Sequence, residues 1–333
     1  MPTADLQIQV FNAIKAKLPP HLSLAEEVAA TLAISNDSAY RRIRGEKPLL
    51  LEEVGKLCAR FGLSLDSLLQ LQSDGFVFKG EFFQPENFQF DKYLASYAQQ
   101  MKFMSTFPTR RLFMLCKDIA PHHHFHFREI AAFKHYFWMR TIMNAPSYAQ
   151  KKFALADYPD ELFRIGQTAL HYYNQSDSVE LWNIETINST LRQIEYYSDM
   201  NLFAHEAELQ VIYDKLQQFI LHMEKQADAG YKYEWGDKTK TPLAPFQLYY
   251  NEVILGDNSV TAVLNNTKVV YIPHSVFNFM ATTDVRFCDN AYKHIQNLMK
   301  KSTLISNVSE RERARFFNYL RHRIAARTQF GTA

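Results

Sequence analysis

Apolar residues recur at three- and four-residue spacing through most of this chain, and that spacing predicts helices. Ile8, Val10, Phe11 and Ile14 mark a first helix at about 5–18. Leu24, Val28 and Leu32 repeat every four residues and mark a second, with Ser23 and Glu26 at capping-box spacing. Ala33-Ile34-Ser35 makes a tight turn into a third short helix. Ser35 or Asn36 caps it, Ala39, Tyr40 and Ile43 face inward, and Gly45 ends it as a left-handed cap. Leu51, Val54, Leu57, Cys58 and Phe61 give a fourth helix stopped by Gly62. Ser64 caps a fifth, with Leu65, Leu68 and Leu69 inward.

The polar face of the third helix carries Asn36, Asp37, Ser38, Arg41 and Arg44, with Arg42 and Lys47 beside it. Between Ser38 and Leu51 there are four positive residues and one negative, whereas residues 1–72 carry eight of each sign. The positive charge is therefore concentrated on one helix and its exit. This is what a helix entering the major groove requires: polar side chains at its start reach base edges, and arginines pair with guanine or phosphate.

Five short helices in this order resemble the lambda-repressor-like (Xre-type) helix-turn-helix domain. The residues that carry the resemblance are Leu24, Val28, Ala29, Ile34, Ser35, Tyr40, Arg41, Ile43 and Gly45, then LEEVGKLCARFGLSLDSLL at 51–69. It covers roughly the first 70 residues, about a fifth of the 333. It implies base contacts from Asn36, Asp37 and Arg41 and phosphate contacts from Ser38, Arg42, Arg44 and Lys47. Two positions depart from the family pattern. Ala33 stands in the turn where glycine is favoured, and Ile43 falls one place late, with Arg42 in the usual apolar slot. Which of Arg41 and Arg42 faces outward is left open by that shift.

Gln72–Gly75 is the expected boundary between a domain at 1–72 and a second at 75–330, because aromatic residues become dense beyond it. Helical spacing predicts helices at about 90–107, 128–143, 160–174, 184–199, 201–228, 287–302 and 309–327. Short strands are expected at 111–117, 246–255 and 260–273, the last holding a hairpin turn at Asn265-Asn266. The expected fold class is mainly α: a five-helix domain followed by a larger, mostly helical one with a few short strands. The second region also resembles that of bacterial helix-turn-helix proteins whose large C-terminal domain has no assigned role. DIAPHHHFHFREIAAFKHYFW (118–138), LRQIEYY (191–197) and SERERARFFNYL (309–320) carry that likeness.

Composition narrows the function classes. A formal net charge of +2 is no general nucleic-acid signature, so any DNA contact is local. No apolar run reaches 18 residues, the start lacks a leader's apolar core, and Cys58, Cys116 and Cys288 are widely spaced, so a reduced, cytoplasmic protein with no membrane contact is expected. No glycine-rich phosphate loop occurs, since Gly75 and Gly80 have the spacing but Glu81 stands where lysine is required. No nucleophile–base spacing emerges, so neither catalysis nor a cofactor is expected.

Two clusters remain. His122, His124 and His126 would share a face of an extended segment and could ligate a metal, but a half-exposed polar strand edge accounts for them more simply. Lys300–Arg327 holds eight positive and two negative residues, read either as a second phosphate surface or, in preference, as a solvated helix face. The expectation as a whole is a sequence-specific regulator that binds double-stranded DNA. Its second domain would form a homodimer and sense a small-molecule or protein effector. The competing expectation is an interaction protein that uses the helix-turn-helix for docking.

Overall fold

The computed structural model describes residues 3–19, 22–63, 65, 75–80, 83, 85–253 and 256–328. The chain divides into two compact units, Met1–Val77 and Phe78–Ala333. The fifth helix expected from Ser64 lies outside the described residues, Leu65 excepted.

Among the described residues of the first unit the apolar spacing becomes four helices: α1 (Thr3–Lys17), α2 (Leu24–Leu32), α3 (Asn36–Ile43) and α4 (Leu51–Phe61). Val10, Phe11 and Ile14 of α1 meet Val28, Ala29 and Leu32 of α2, Ala39 of α3 and Leu57 of α4 in one core. Ala33 ends α2 in the left-handed region at φ 54°, and the Ile34 N–H returns to the Ala29 carbonyl at 3.0 Å. Ser35 caps α3 by accepting from the Ser38 N–H at 3.3 Å. Ser23 makes no side-chain cap, so the capping box expected with Glu26 does not close. Gly45 ends α3 at φ 78° as expected.

The second unit is built on a seven-stranded mixed sheet in the order β6-β5-β4-β1-β2-β3-β7. The strands are β1 (Arg110–Cys116), β2 (Asp177–Trp182), β3 (Phe246–Tyr250), β4 (Ser259–Leu264), β5 (Thr267–Pro273), β6 (Phe279–Thr282) and β7 (Thr303–Leu304). β1, β2 and β3 run parallel, while β4, β5 and β6 form an antiparallel meander on the far side of β1. The mainly α expectation is therefore wrong for this unit, which is α/β. The strands at 110–116, 246–250 and 259–273 were legible, but β2, β6 and β7 were not. β2 is only six residues long between two strongly helical segments, and its polar Ser178 and Glu180 are buried, so its alternation does not mark a solvent face.

The helices are α5 (Phe90–Ser105), α6 (Arg128–Phe137), α7 (Asp160–Asn174), α8 (Glu185–Asp199), α9 (Glu206–Ala229), α10 (Val285–Lys300) and α11 (Glu310–Thr328). Parallel neighbours need crossovers, and right-handed crossovers taken in one direction along a sheet put their helices on one face. Accordingly Leu112, Met114, Cys116, Trp182 and Leu248 face a large aromatic core shared with the crossover helices. Phe113, Leu115, Val179 and Leu181 point the other way, against Ile295 of α10. The Lys300–Arg327 stretch is a solvated face only in part: Lys300, Lys301, Arg311 and Arg315 are exposed, while other basic residues turn inward. Arg313 reaches Asp228 at 2.5 Å, and Arg321 and Arg327 pair with Glu224 of α9 and Glu195 of α8.

Candidate functional site

On α3 the structure separates the adjacent arginines. Arg42 is 4% exposed and its guanidinium is spent inside the unit. Its Nε and Nη2 donate to Glu53 Oε2 and Oε1 at 3.0 and 2.6 Å, and its Nη1 donates to the Ser38 carbonyl at 3.2 Å. This fork holds α3 to the start of α4, and the Arg42 hydrogen bond holds the Glu53 carboxyl below its usual range despite partial burial. Arg42 therefore leaves the phosphate-contact set. The one-place shift of Ile43 explains the inversion: the slot that is apolar in the family pattern is filled by an arginine that brings its own buried partner. Gln7 of α1 locks the same corner, donating to the Arg42 and Lys47 carbonyls at 2.6 and 2.8 Å and accepting from the Leu49 N–H at 2.9 Å.

Asn36, Asp37, Arg41, Arg44 and Lys47 are exposed and Ser38 is half-buried, so six of the seven expected contact residues lie at the surface. Glu46 tempers the charge there, with its carboxylate 2.7 Å from Arg44 and 3.9 Å from Arg41. Tyr40, expected in the core, is 49% exposed on the same helix. Leu50 and Leu51 are exposed as well, although Leu51 was expected to face inward.

The histidine stretch of the second unit is not the half-exposed strand edge expected. Pro121–His126 winds as a 3₁₀ helix beneath α7, and all four of its histidines are buried. The helix has three residues per turn, so His123 and His126 stack with ring centroids 5.7 Å apart, and His122, His124 and His126 do not converge. Gly166 of α7 makes the close approach possible, since a Cβ there would stand 2.1 Å from the Phe125 ring.

Instead His123 meets Glu180, which the odd-even alternation of β2 turns into the helical face of the sheet. Glu180 Oε1 takes His123 Nε2 at 2.9 Å and the Tyr173 hydroxyl, and Oε2 takes Trp182 Nε1 at 2.7 Å and the Cys116 thiol at 3.9 Å. Burial pushes the Glu180 carboxyl up. His123, Tyr173 and Trp182 outweigh it, and the net direction is below the ordinary carboxylate value. His122 stacks on Tyr173 with centroids 3.8 Å apart, and its Nδ1 meets the Tyr97 hydroxyl at 2.9 Å. Lys232, fully buried, donates to the Tyr173 carbonyl at 3.1 Å and Ser178 Oγ at 2.8 Å, and burial pushes its amine down to about 7.

His122, His123 and Glu180 each bring a ligand atom within 4.8 Å of the others. Both Glu180 oxygens are doubly engaged, His123 Nε2 is on Glu180 and His122 Nδ1 is on Tyr97, whereas His122 Nε2 and His123 Nδ1 have no partner among the described residues. The arrangement is a polar core that ties β2 to the 3₁₀ helix and α7. Glu180 and Lys134 had a faint signal in the sequence. Each is a charge inside an apolar run, SVELW and AAFKHYFW, and such a charge needs a buried partner.

Comparison with protein-family models, with curated proteins and with solved structures finds no match to this chain.

Proposed function

We propose that the chain is a sequence-specific DNA-binding regulator. The observation that carries this reading is the α2–turn–α3 arrangement, in which Asn36, Asp37, Arg41, Arg44 and Lys47 are exposed together on and just after one short helix. In this reading Asn36, Asp37 and Arg41 meet base edges, and Ser38, Arg44 and Lys47 meet phosphates. One such helix covers too few base pairs for specific affinity, so the regulator acts as a homodimer on paired half-sites. The second unit supplies pairing and effector sensing.

Selection of bound fragments from a genomic library tests this directly. An enriched sequence is expected, with affinity that falls steeply as salt rises. Arg41→Ala should relax preference at one position at a cost of about 1–3 kcal/mol, whereas Lys47→Ala should weaken all sequences alike and lower the salt slope by about 1. No enriched sequence, together with an Arg41→Ala variant that behaves as the parent, would overturn it. The exposed Tyr40, Leu50 and Leu51 favour a second reading, a protein-docking module. In that case Leu51→Lys abolishes partner binding and Arg41→Ala does not.

A further inference from the structure

The parallel strands β1 and β2 end side by side, while β4 runs antiparallel along the other edge of β1. Ligand crevices of open α/β sheets lie at the carboxyl ends of the strands, where neighbouring connections diverge. A cleft of about 840 Å3 opens here, lined by Cys116, Asp118 and Asn183 from the two strand ends. That volume is in the range of small-molecule sites.

One wall is aromatic. Phe137 and Trp138 come from the end of α6, where the helix widens into a π-helical turn at Trp138–Ile142, and Tyr93 and Phe279 add to the lining. Such turns interrupt a helix at a cost and are frequent at functional sites. His124 also lines the cleft. It is 2% exposed, its ring packs against Trp138 at 5.5 Å, and neither of its nitrogens has a hydrogen-bond partner among the described residues. A buried imidazole with both hydrogen bonds unmade is costly, and such a group calls for a partner.

The buried charge of the cleft is already paired, whereas the exposed Arg192 and the half-buried Glu185 on its lining form no ion pair among the described residues. Asp118 holds the buried Lys134 at 3.3 Å and also accepts from Ser189 and Thr190, and Gln193 takes the same ammonium at 2.9 Å. Lys117 is bound to Asp257 at 2.7 Å. Burial, reinforced by the Lys134 charge, keeps His124 well below the usual imidazole value, so it offers one N–H and one bare nitrogen and no positive charge. Among the described residues an anion finds no free buried cation here, Arg192 lying exposed on the lining, and a purely apolar guest would leave His124 unsatisfied.

We propose that this cleft binds a small uncharged aromatic compound bearing a ring hydroxyl or ring N–H, its ring against Trp138 and its polar ring atom on His124. This names the effector class for the sensing role given above to the second unit. It rests on that role only for its consequence, because binding is measured without DNA and either proposal can fail alone.

The test is calorimetry and histidine-nitrogen NMR on the full chain. Phenol and indole are the probes, toluene is the same-shaped control without a polar atom, and benzoate is the anionic control. Phenol and indole should bind and shift the His124 ring nitrogens, toluene should bind at least tenfold more weakly, and benzoate should not compete. His124→Phe should lower phenol affinity about tenfold and leave toluene unchanged, the loss expected for a buried hydrogen bond. Equal binding of phenol and toluene to the parent chain would overturn the proposal, even where His124→Phe fails to fold. Tighter binding of benzoate, or no binding of any probe at millimolar concentration, would overturn it too.

Discussion

Mild acid should unfold the second unit, because its interior stores neutral histidines. Burial is the chief cause that pushes His135 down to about 4 and His222 down to about 3. His122, His124 and His126 are displaced in the same direction by the same cause. In the unfolded chain each would titrate near 6.5. Below that pH the unfolded state takes up protons that the folded state refuses, so stability present above about 6.5 is lost as pH falls toward the folded values. At about pH 5 the cost is roughly 2 kcal/mol each for His135 and His222, roughly 4 together, before the other three are counted. That is a large part of the 5–15 kcal/mol of a typical domain, roughly stated.

The depressed carboxyl of Glu180 acts only at lower pH, and the depressed amine of Lys232 acts mainly above neutrality, so the window belongs to the histidines. Trp138, Trp182 and Trp235 are the three tryptophans of the chain and all lie in this unit, so their fluorescence in urea titrations follows it alone. The midpoint should drop between about pH 7 and pH 5 at constant m-value. His135→Phe should flatten the pH dependence by roughly 2 kcal/mol at about pH 5. A midpoint that does not move over this range, or native-state NMR titration of these histidines near 6.5, would refute the reasoning.

Ala33→Gly should stabilise the first unit, since a left-handed alanine at φ 54° costs about 1–2 kcal/mol and glycine repays part of it as chain entropy; a gain of about 1 kcal/mol is expected in chemical denaturation followed by circular dichroism. Gly166→Ala should destabilise the second unit by about 1–3 kcal/mol, because the added carbon meets Phe125 ring atoms at 2.1 Å; unchanged tryptophan-detected unfolding would argue against that packing. Arg42→Ala should cost about 3–5 kcal/mol by stranding Glu53, and thus remove the proposed DNA binding by unfolding. Arg41→Ala should leave the melting temperature of the same unit unchanged. Calorimetric scans of the two variants separate a folding arginine from a contacting one.

The first unit was legible because its information is local. A four-residue apolar repeat, a serine cap and a glycine stop each act within one or two turns, and they placed α1 to α4 and the exposed face of α3. Arg42 escaped because its partner, Glu53, is eleven residues away on the next helix, and a one-place shift in the apolar pattern cannot tell a buried pair from a surface charge. Tyr40 failed for the same reason: helical spacing gives a side, and only packing decides how much of that side is covered.

In the second unit the helices were again legible and the sheet was not. β1, β2 and β3 are brought together across 60 or more residues each, and strands of five to seven residues are outweighed in the sequence by the helical spacing on either side. Glu180, His123, Tyr173 and Lys232 are scattered from 123 to 232, and they meet only because the crossover helices fall on one face of that sheet. The amino-acid order by itself determined which segments are helical, where the first unit caps and stops, and where positive charge gathers, since these follow from neighbours in the chain. Tertiary structure alone decided which arginine is spent indoors, which histidine is left unpartnered beside an aromatic cleft, and that seven short strands form one sheet, since these depend on distances closed by folding.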